Sequence, residues 1–334
     1  VKPFIIAEVS ANHKGSIAIA KKMITAAKKS GASAVKIQTY EADSMTINSD
    51  RKDFKIKHGI WKGQKLFDLY KSAQTPFAWH ERLFAHAKKE EILIFSTPFD
   101  DRGVDLLDKL KVPFFKVASF EITDHLLLEH IASKKKPVLL STGISSEQEI
   151  GDALEVIKSR GVKDILLFHC ISSYPAKIEE YNLNMIKTLK KTFNTLVGLS
   201  DHTKGMEAAI SAISLGAVAI EKHFKLNKSI KSPDSKFSID PIQLKALVLK
   251  TNIVWKGLGN GDYYRTKEET KNIIFRRSLY YTRDLEKGKK ISVNDIRSIR
   301  PGYGLSPNHF KKVLNKKVKK NVTVGDRVSL EDIE

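Results

Sequence analysis

The sequence predicts a (β/α)8 barrel of the TIM type followed by a small C-terminal β-rich domain. Three observations predict it. Eight short apolar runs alternate with helix-like segments across residues 1–255, and about 250 residues is the usual size of such a barrel. The runs are nearly continuous in Val, Ile and Leu, as parallel strands buried on both faces require. No glycine-rich phosphate fingerprint follows the first run, which sets aside a doubly wound open sheet.

The elements follow in order. The first strand is Phe4–Ala7, and residues 16–30 place Ile17, Ala20, Met23, Ile24 and Ala27 on one helical face. Further strands are expected at 33–38, 92–96, 113–117, 137–141, 165–169, 196–200 and 217–221. Helices are expected at 77–89, 101–110, 123–134, 146–159, 182–191, 205–214 and 241–255. Connections are short except from Tyr40 to Lys71, through Asn48, Asp50 and Trp61; a loop that long at a barrel's active face is more often functional than idle. Lys256–Gly261 opens a linker, so the expected division is a catalytic barrel at 1–255, a linker at 256–276 and a strand-rich domain at 277–334. Ser278–Tyr281 reads as a strand there, and Asp284–Gly288 and Pro301–Ser306 as turns. So small a domain buries little core and is expected to lean on another surface.

Composition excludes several function classes. Of 334 residues, 41% are hydrophobic and 29% charged, which excludes a mainly disordered chain. The longest nearly apolar stretch, Ala208–Ile220, is too short to span a bilayer, so no membrane partner is expected. The single cysteine, Cys170, excludes an intrachain disulfide framework and fits a reducing, cytoplasmic compartment. The chain opens at Val1 with no charged-then-apolar leader, and lacking Met it is expected to be short of a few native residues. Its 58 basic and 38 acidic residues give a net charge of +20. The lysines fall in short runs such as Lys88-Lys89 and Lys134-Lys135-Lys136, in or beside helices, with no arginine-rich arm. They read as solvated helix faces. Nucleic acid is not an expected partner, although the charge favours anionic substrates.

Barrel enzymes carry their chemistry at the carboxyl ends of strands. Those positions hold Glu8, Ser10, Asn12 and His13; Lys36 and Gln38; Ser96 and Thr97; Lys116, Ser119 and Glu121; Ser141 and Thr142; His169; Ser200, Asp201 and His202; and Glu221, Lys222 and His223. Loops begin at strand ends, so some polarity is expected in any barrel. Two lysines inside buried-looking strands are not, because lysine is rarely buried unpaired. Lys36 and Lys116 therefore read as anion ligands. With Ser119, Ser141 and Ser200 they make a plausible phosphate cradle for a small phosphorylated, carboxylated substrate. His202 and His223 end adjacent strands and make an incomplete metal site whose other positions fall to water or substrate. His13 and His169 stay open between site and packing. His58, His80, His86, His125, His130 and His309 read as surface or packing residues, and Cys170 as a small buried residue rather than a nucleophile.

The segments Ile5–His13, Lys36–Thr39, Ser96–Phe99, Lys116–Glu121, Leu140–Gly143, Gly198–His202 and Glu221–Phe224 together resemble the sialic acid synthase (NeuB-like) family, in that family's order. Arg300–Leu305 is similar to its antifreeze-like (SAF) domain. Within the family the resemblance is nearest to the pseudaminic acid branch, through Ala118–Glu121, Ser235–Ser238 and Asp43–Asp50; the legionaminic and N-acetylneuraminic branches are the alternatives. Ser172 stands where N-acetylneuraminate synthases often carry asparagine.

The resemblance implies a transferase that condenses phosphoenolpyruvate with an acetamido-deoxyhexose, with C–O cleavage and release of phosphate. It implies a divalent metal, Mn2+ or Mg2+, on His202 and His223, and Glu8 as the catalytic carboxylate. By the same matching, Lys36, Thr97, Lys116, Ser119, Ser141 and Ser200 hold phosphoenolpyruvate, and Gln38, Glu121, Tyr174 and Asp234 face the sugar. Arg300 matches an arginine that reaches the partner's site in a homodimer with swapped C-terminal domains.

Overall fold

The computed structural model describes residues 1–334 as two compact units, Val1–Gly259 and Asn260–Glu334. The first is a closed barrel of eight parallel strands in sequence order. These are β1 (Phe4–Glu8), β2 (Ala34–Thr39), β3 (Leu93–Pro98), β4 (Phe115–Val117), β5 (Val138–Ser141), β6 (Ile165–Cys170), β7 (Leu196–Asp201) and β8 (Ala219–His223). The barrel closes where β1 pairs with β8, from Phe4 opposite Ala219 to Glu8 opposite His223. That pairing carries β8 two residues beyond the apolar run, so Lys222 and His223 are strand residues rather than the start of a loop.

The helices begin where side chains can cap their free N–H groups. Ser16 and Asp100 cap the helices Ile17–Lys29 and Asp101–Lys109, and capping boxes start Glu147–Ser159 and Pro241–Leu258. The main apolar core lies between strands and helices, with Val35, Leu83, Val104, Leu128, Leu167 and Leu244 among its fully buried members. A smaller core fills the barrel itself: Ile6, Ala34, Phe95, Leu139, Phe168 and Ala219. No helix is long and apolar enough to cross a membrane.

Two expectations change. The segment from Tyr40 to Lys71 is not one irregular loop: it holds a helical turn at Ala42–Met45 and most of a helix at Leu66–Ala73. That helix is only eight residues long and buries only Leu69. The linker expected at 256–276 is also not uniform. The last barrel helix runs through Lys256 to Leu258 and stops at Gly259, whose φ of 60° lies in the left-handed region that favours glycine. A capping box of Thr266 with Glu269 then starts a short helix, Lys267–Lys271, within the second unit.

The second unit has one two-stranded antiparallel sheet, β9 (Ser278–Tyr281) with β10 (Ile296–Ile299). The rest is tied by isolated bridges such as Leu285 with Val322 and Val318 with Ile333. Its core gathers Leu279, Tyr281, Ile291, Ile296, Val313 and Val318. Gly304 must stay glycine for room, since a Cβ there would lie 2.6 Å from the carbonyl oxygen of Leu279.

Inside the barrel, a Cβ on Gly198 would lie 2.8 Å from Cε1 of Phe168 and 3.0 Å from the carbonyl oxygen of Ala219. Gly198→Ala is expected to cost about 1–3 kcal/mol by overpacking, read as a lower urea midpoint for the barrel unit. An unchanged midpoint would show that the barrel interior has slack.

Candidate active site

Alternation along the strands builds the site. Side chains two residues apart point to the same side. The inner apolar ring is Ile6, Ala34, Phe95, Leu139, Phe168 and Ala219. One step further along the same strands come Glu8, Lys36, Thr97, Ser141, Cys170 and Glu221. Lys116 follows Phe114 in the same way, and Ser200 follows Gly198. All eight of these residues are buried. A polar, charged ring thus sits directly on an apolar plug.

Lys36 holds the ring together. Its Nζ lies 2.7 Å from Oε2 of Glu8 and 3.2 Å from Oε1 of Glu221, and donates to Thr97 Oγ1 at 3.3 Å. Burial alone would lower this ammonium, but Glu221 and Glu8 outweigh burial and raise it. Burial would raise Glu221, but Lys36 and Lys116 pull it down to about 2. Glu8 also accepts from the Ser10 N–H at 2.7 Å.

Lys116 differs. It is 1% exposed and makes no ion pair: it donates to Val117 O at 3.2 Å and to Ser141 Oγ, and its Nζ lies 5.1 Å from the centre of the Phe168 ring. Burial lowers it, with only part of that restored by Glu221. A buried cation with no carboxylate partner is costly, and an incoming anion would supply the missing charge. The three serines are each held by a different group: Ser141 by Lys116, Ser119 by Ser172 at 2.8 Å, and Ser200 by Glu221 at 3.1 Å.

Above the ring lies a cavity of about 660 Å³. Gln38, Glu121, Tyr174 and Asp234 all line it, as do His223 and Ser172. Much of the wall is apolar, including Tyr40, Ile60, Leu66, Phe99 and Phe237. Trp61 and Tyr174 meet with ring centres 5.7 Å apart, and Tyr174 lies 5.4 Å from Phe237. The long connection from Tyr40 to Lys71, expected to be functional, supplies Tyr40, Met45, Ile56, Trp61, Leu66 and Tyr70 to this wall; its aromatic and aliphatic residues carry no period that would say which of them face the cavity.

His202 and His223 lie with ring centres 5.6 Å apart. His202 Nδ1 donates to the carbonyl of Ile171 at 2.9 Å, which leaves Nε2 with its lone pair. Burial, and then His223, lower His202 to about 3, so its ring is neutral as a metal ligand must be. His223 Nδ1 lies 3.2 Å from Oδ2 of Asp234. No group of three or more His, Cys, Asp or Glu side chains gathers as a complete metal site. The pair fits a divalent ion that takes its remaining ligands from water and substrate.

Eight buried side-chain polar atoms lack a hydrogen bond, and six belong to residues at this mouth: Glu8, Ser10, Trp61, Glu121, Glu221 and His223. Of these, Glu8 Oε2 and His223 Nδ1 face ionic partners without hydrogen-bond alignment. Unsatisfied groups concentrated in one place mark a site built for a polar ligand.

The remaining candidates divide. His13 and His169 are packing residues: His13 meets Thr75 Oγ1 at 3.2 Å and the edge of Trp79, and His169 meets the carbonyl of Tyr181 at 2.8 Å. Asp201 and Lys222 are paired at 2.7 Å with no exposure, on the opposite strand face from Ser200 and Glu221. Burial raises the Cys170 thiol, which suits an inert residue. Asn12 turns its side chain into the loop after β8. Arg300 directly follows β10, exposed, in the second unit.

The comparisons with known proteins agree with this geometry. Residues 23–263 match the model of the NeuB family, and residues 276–334 that of the SAF domain. The chain belongs to the NeuB family. It is an enzyme of the transferase class. It is 45% identical over 333 residues to the pseudaminic acid synthase of Campylobacter jejuni, covering 100% of this chain and 97% of that one. It is 41% identical over 335 residues to that of Helicobacter pylori, covering 99% and 98%. Among solved structures, the N-acetylneuraminic acid synthetase of Leptospira borgpetersenii superposes with a TM-score of 0.74 at 33% identity, over 82% of this chain and 90% of that one.

Glu121 gives a pH test. Burial pushes its carboxyl up from 4.5 to about 7. Between those values the folded chain keeps a proton that the unfolded chain has lost. The stability tied to this proton is fully present below about pH 4.5 and falls by about 3 kcal/mol as pH rises through 7. Relative to the parent chain, Glu121→Gln should therefore gain about that much stability between pH 4.5 and 8, measured by urea unfolding. A difference that stays flat with pH would mean the carboxyl is not held protonated.

Proposed function

We propose that this chain condenses phosphoenolpyruvate with 2,4-diacetamido-2,4,6-trideoxy-altropyranose to give pseudaminic acid and inorganic phosphate. The observation that carries the reading is the unpaired, buried Lys116 in a charged ring beneath a cavity with an apolar wall. Such a ring suits a small polyanion below, and the wall suits the acetamido methyl groups and deoxygenated carbon of the sugar above. Pseudaminic acid synthases that match the chain along its whole length support this choice of sugar.

Lys36, Thr97, Lys116, Ser119, Ser141 and Ser200 hold the phosphate and carboxylate of phosphoenolpyruvate. Gln38, Glu121, Tyr174 and Asp234 orient the open-chain sugar so that its aldehyde carbon meets C3 of the enol. As that bond forms, positive charge develops at C2. Glu8 stabilises this charge, or takes a proton from the water that adds there, before phosphate leaves with its bridging oxygen. His202 and His223 hold a divalent ion, manganese or magnesium, which supplies Lewis-acid polarisation of the aldehyde. Two copies pair, and Arg300 of each reaches the sugar site of the other.

The first test is phosphate release from phosphoenolpyruvate with manganese, across three sugars: the altropyranose above, 2,4-diacetamido-2,4,6-trideoxy-mannose and N-acetylmannosamine. Release with the altropyranose alone is expected; release with either of the others would move the chain to the legionaminic or N-acetylneuraminic branch. Arg300→Ala should raise the sugar KM about tenfold, the loss of a charged hydrogen bond, and leave the phosphoenolpyruvate KM unchanged. Equal rises in both would argue against the arm from the partner.

A further inference from the structure

Asn12 is fully buried, yet it faces neither the charged ring nor the cavity. Its amide reaches across more than 200 residues of sequence to the loop that leaves β8. Nδ2 donates to the carbonyl of Phe224 and to Ser238 Oγ, both at 2.8 Å, and Oδ1 accepts from Ser232 Oγ. Both donor hydrogens and one lone pair of the carbonyl oxygen are thus in use, three of the four bonds a primary amide can make. The backbone before it is under load: Ala11 sits at a φ of 60°, a left-handed conformation that costs an alanine about 1 kcal/mol or more. Such a conformation persists only where surrounding bonds over-determine it, and the three bonds of Asn12 do so.

The loop held in this way carries two groups of the site. It is a closed excursion, with Phe224 bridged to Ile239 and the Ile239 N–H donating to His223 O at 2.8 Å. Within it Ser238 Oγ, after accepting from Asn12, donates to the carbonyl of Asp234 at 2.6 Å. Asp234 lines the cavity and lies 3.2 Å from His223, and Phe237 packs against the His223 ring at 4.8 Å. A relay therefore runs from the end of β1 through Asn12 and Ser238 to the backbone of Asp234.

We infer that Asn12 is a positioning residue that sets the placement of Asp234 over the cavity, and through it the affinity for the sugar, without touching either substrate. The inference rests on the proposed reaction. Because the ring that takes phosphoenolpyruvate is built from strands, and Asp234 from the tethered loop, the effect must fall on one substrate.

The test is steady-state kinetics of the full chain, varying phosphoenolpyruvate and the diacetamido-trideoxy-altropyranose separately, for Asn12→Ala, Ser238→Ala and the double variant. Loss of an outer hydrogen bond that orients a ligand-holding group costs roughly 10–100-fold in affinity. Asn12→Ala should raise the sugar KM at least about tenfold, with the phosphoenolpyruvate KM within about twofold of the parent. Ser238→Ala should shift the same constant in the same direction, and the double variant should be no worse than Asn12→Ala alone, because both break one relay. An unchanged sugar KM, equal rises for both substrates, or additive effects would overturn the inference. If Asn12→Ala fails to fold, Ser238→Ala decides by the same readout. A parent chain that releases no phosphate with any amino sugar overturns the functional reading and this inference with it; a turning-over parent with unaffected variants overturns the inference alone.

Discussion

Lys36 between Glu8 and Glu221 is the interaction on which the barrel mouth depends. Taking charges out of water costs several kcal/mol per ion, and a buried pair repays that only with close geometry and further hydrogen bonds. Here one ammonium bridges two carboxylates and also donates to Thr97. Ser10 N–H and Ser200 Oγ each donate to one carboxylate oxygen, while Glu221 Oε2 is left without a partner. Two lysines and two carboxylates leave the ring neutral overall, but both carboxylates are taken up by Lys36, so Lys116 is the buried cation without an ionic partner and the point at which an anion could bind. Stability and anion affinity arise from the same four residues.

The plug below makes this possible. Phe95, Leu139 and Phe168 close the interior of the barrel, so no water path runs through it. The ring therefore sits in a low-dielectric cup, where each electrostatic contact is stronger than it would be in water. Gly198 belongs to the same construction: its missing side chain makes room for Phe168, whose ring in turn faces Lys116. On the outer face of β7 and β8 the buried pair Asp201–Lys222, also bonded to Thr203, ties together the two strands that carry the histidines. One pair of strands thus holds charges on both faces: Asp201 and Lys222 pair outside, and Glu221 meets Lys36 inside.

Ring and cavity divide the chemical labour. The ring comes from strand residues whose positions the barrel fixes, and in the proposed reaction it takes phosphoenolpyruvate. Much of the cavity wall comes from two long excursions, residues 40–73 and 224–239, joined by Phe99 and Tyr174 from shorter loops. Specificity for a sugar is expected to reside in such loops. The second excursion is anchored by an amide on the β1 loop, which ties the segment carrying Asp234 to the barrel.

The eight strands, their order and the small second unit were legible in the sequence because continuous Val–Ile–Leu runs alternated with helical periodicity. The ring was legible too, because a period of two from an apolar residue such as Ala34 or Phe114 points to Lys36 or Lys116 on the face inside the barrel, where a lysine needs a partner; Lys222, on the outer face, is spent on its structural pair with Asp201. Local pattern determines which face of a strand a residue occupies, so those residues were fixed by sequence alone. Tertiary structure alone decided which charges pair: it gave Lys36 two carboxylates and left Lys116 none, though the two read alike. It also decided that the cavity is walled by Tyr40, Trp61 and Phe237, that His13 and His169 serve packing, and that Asn12 reaches Phe224 and Ser238. These depend on distances between segments up to 226 residues apart, and no local period encodes a distance across a closed barrel.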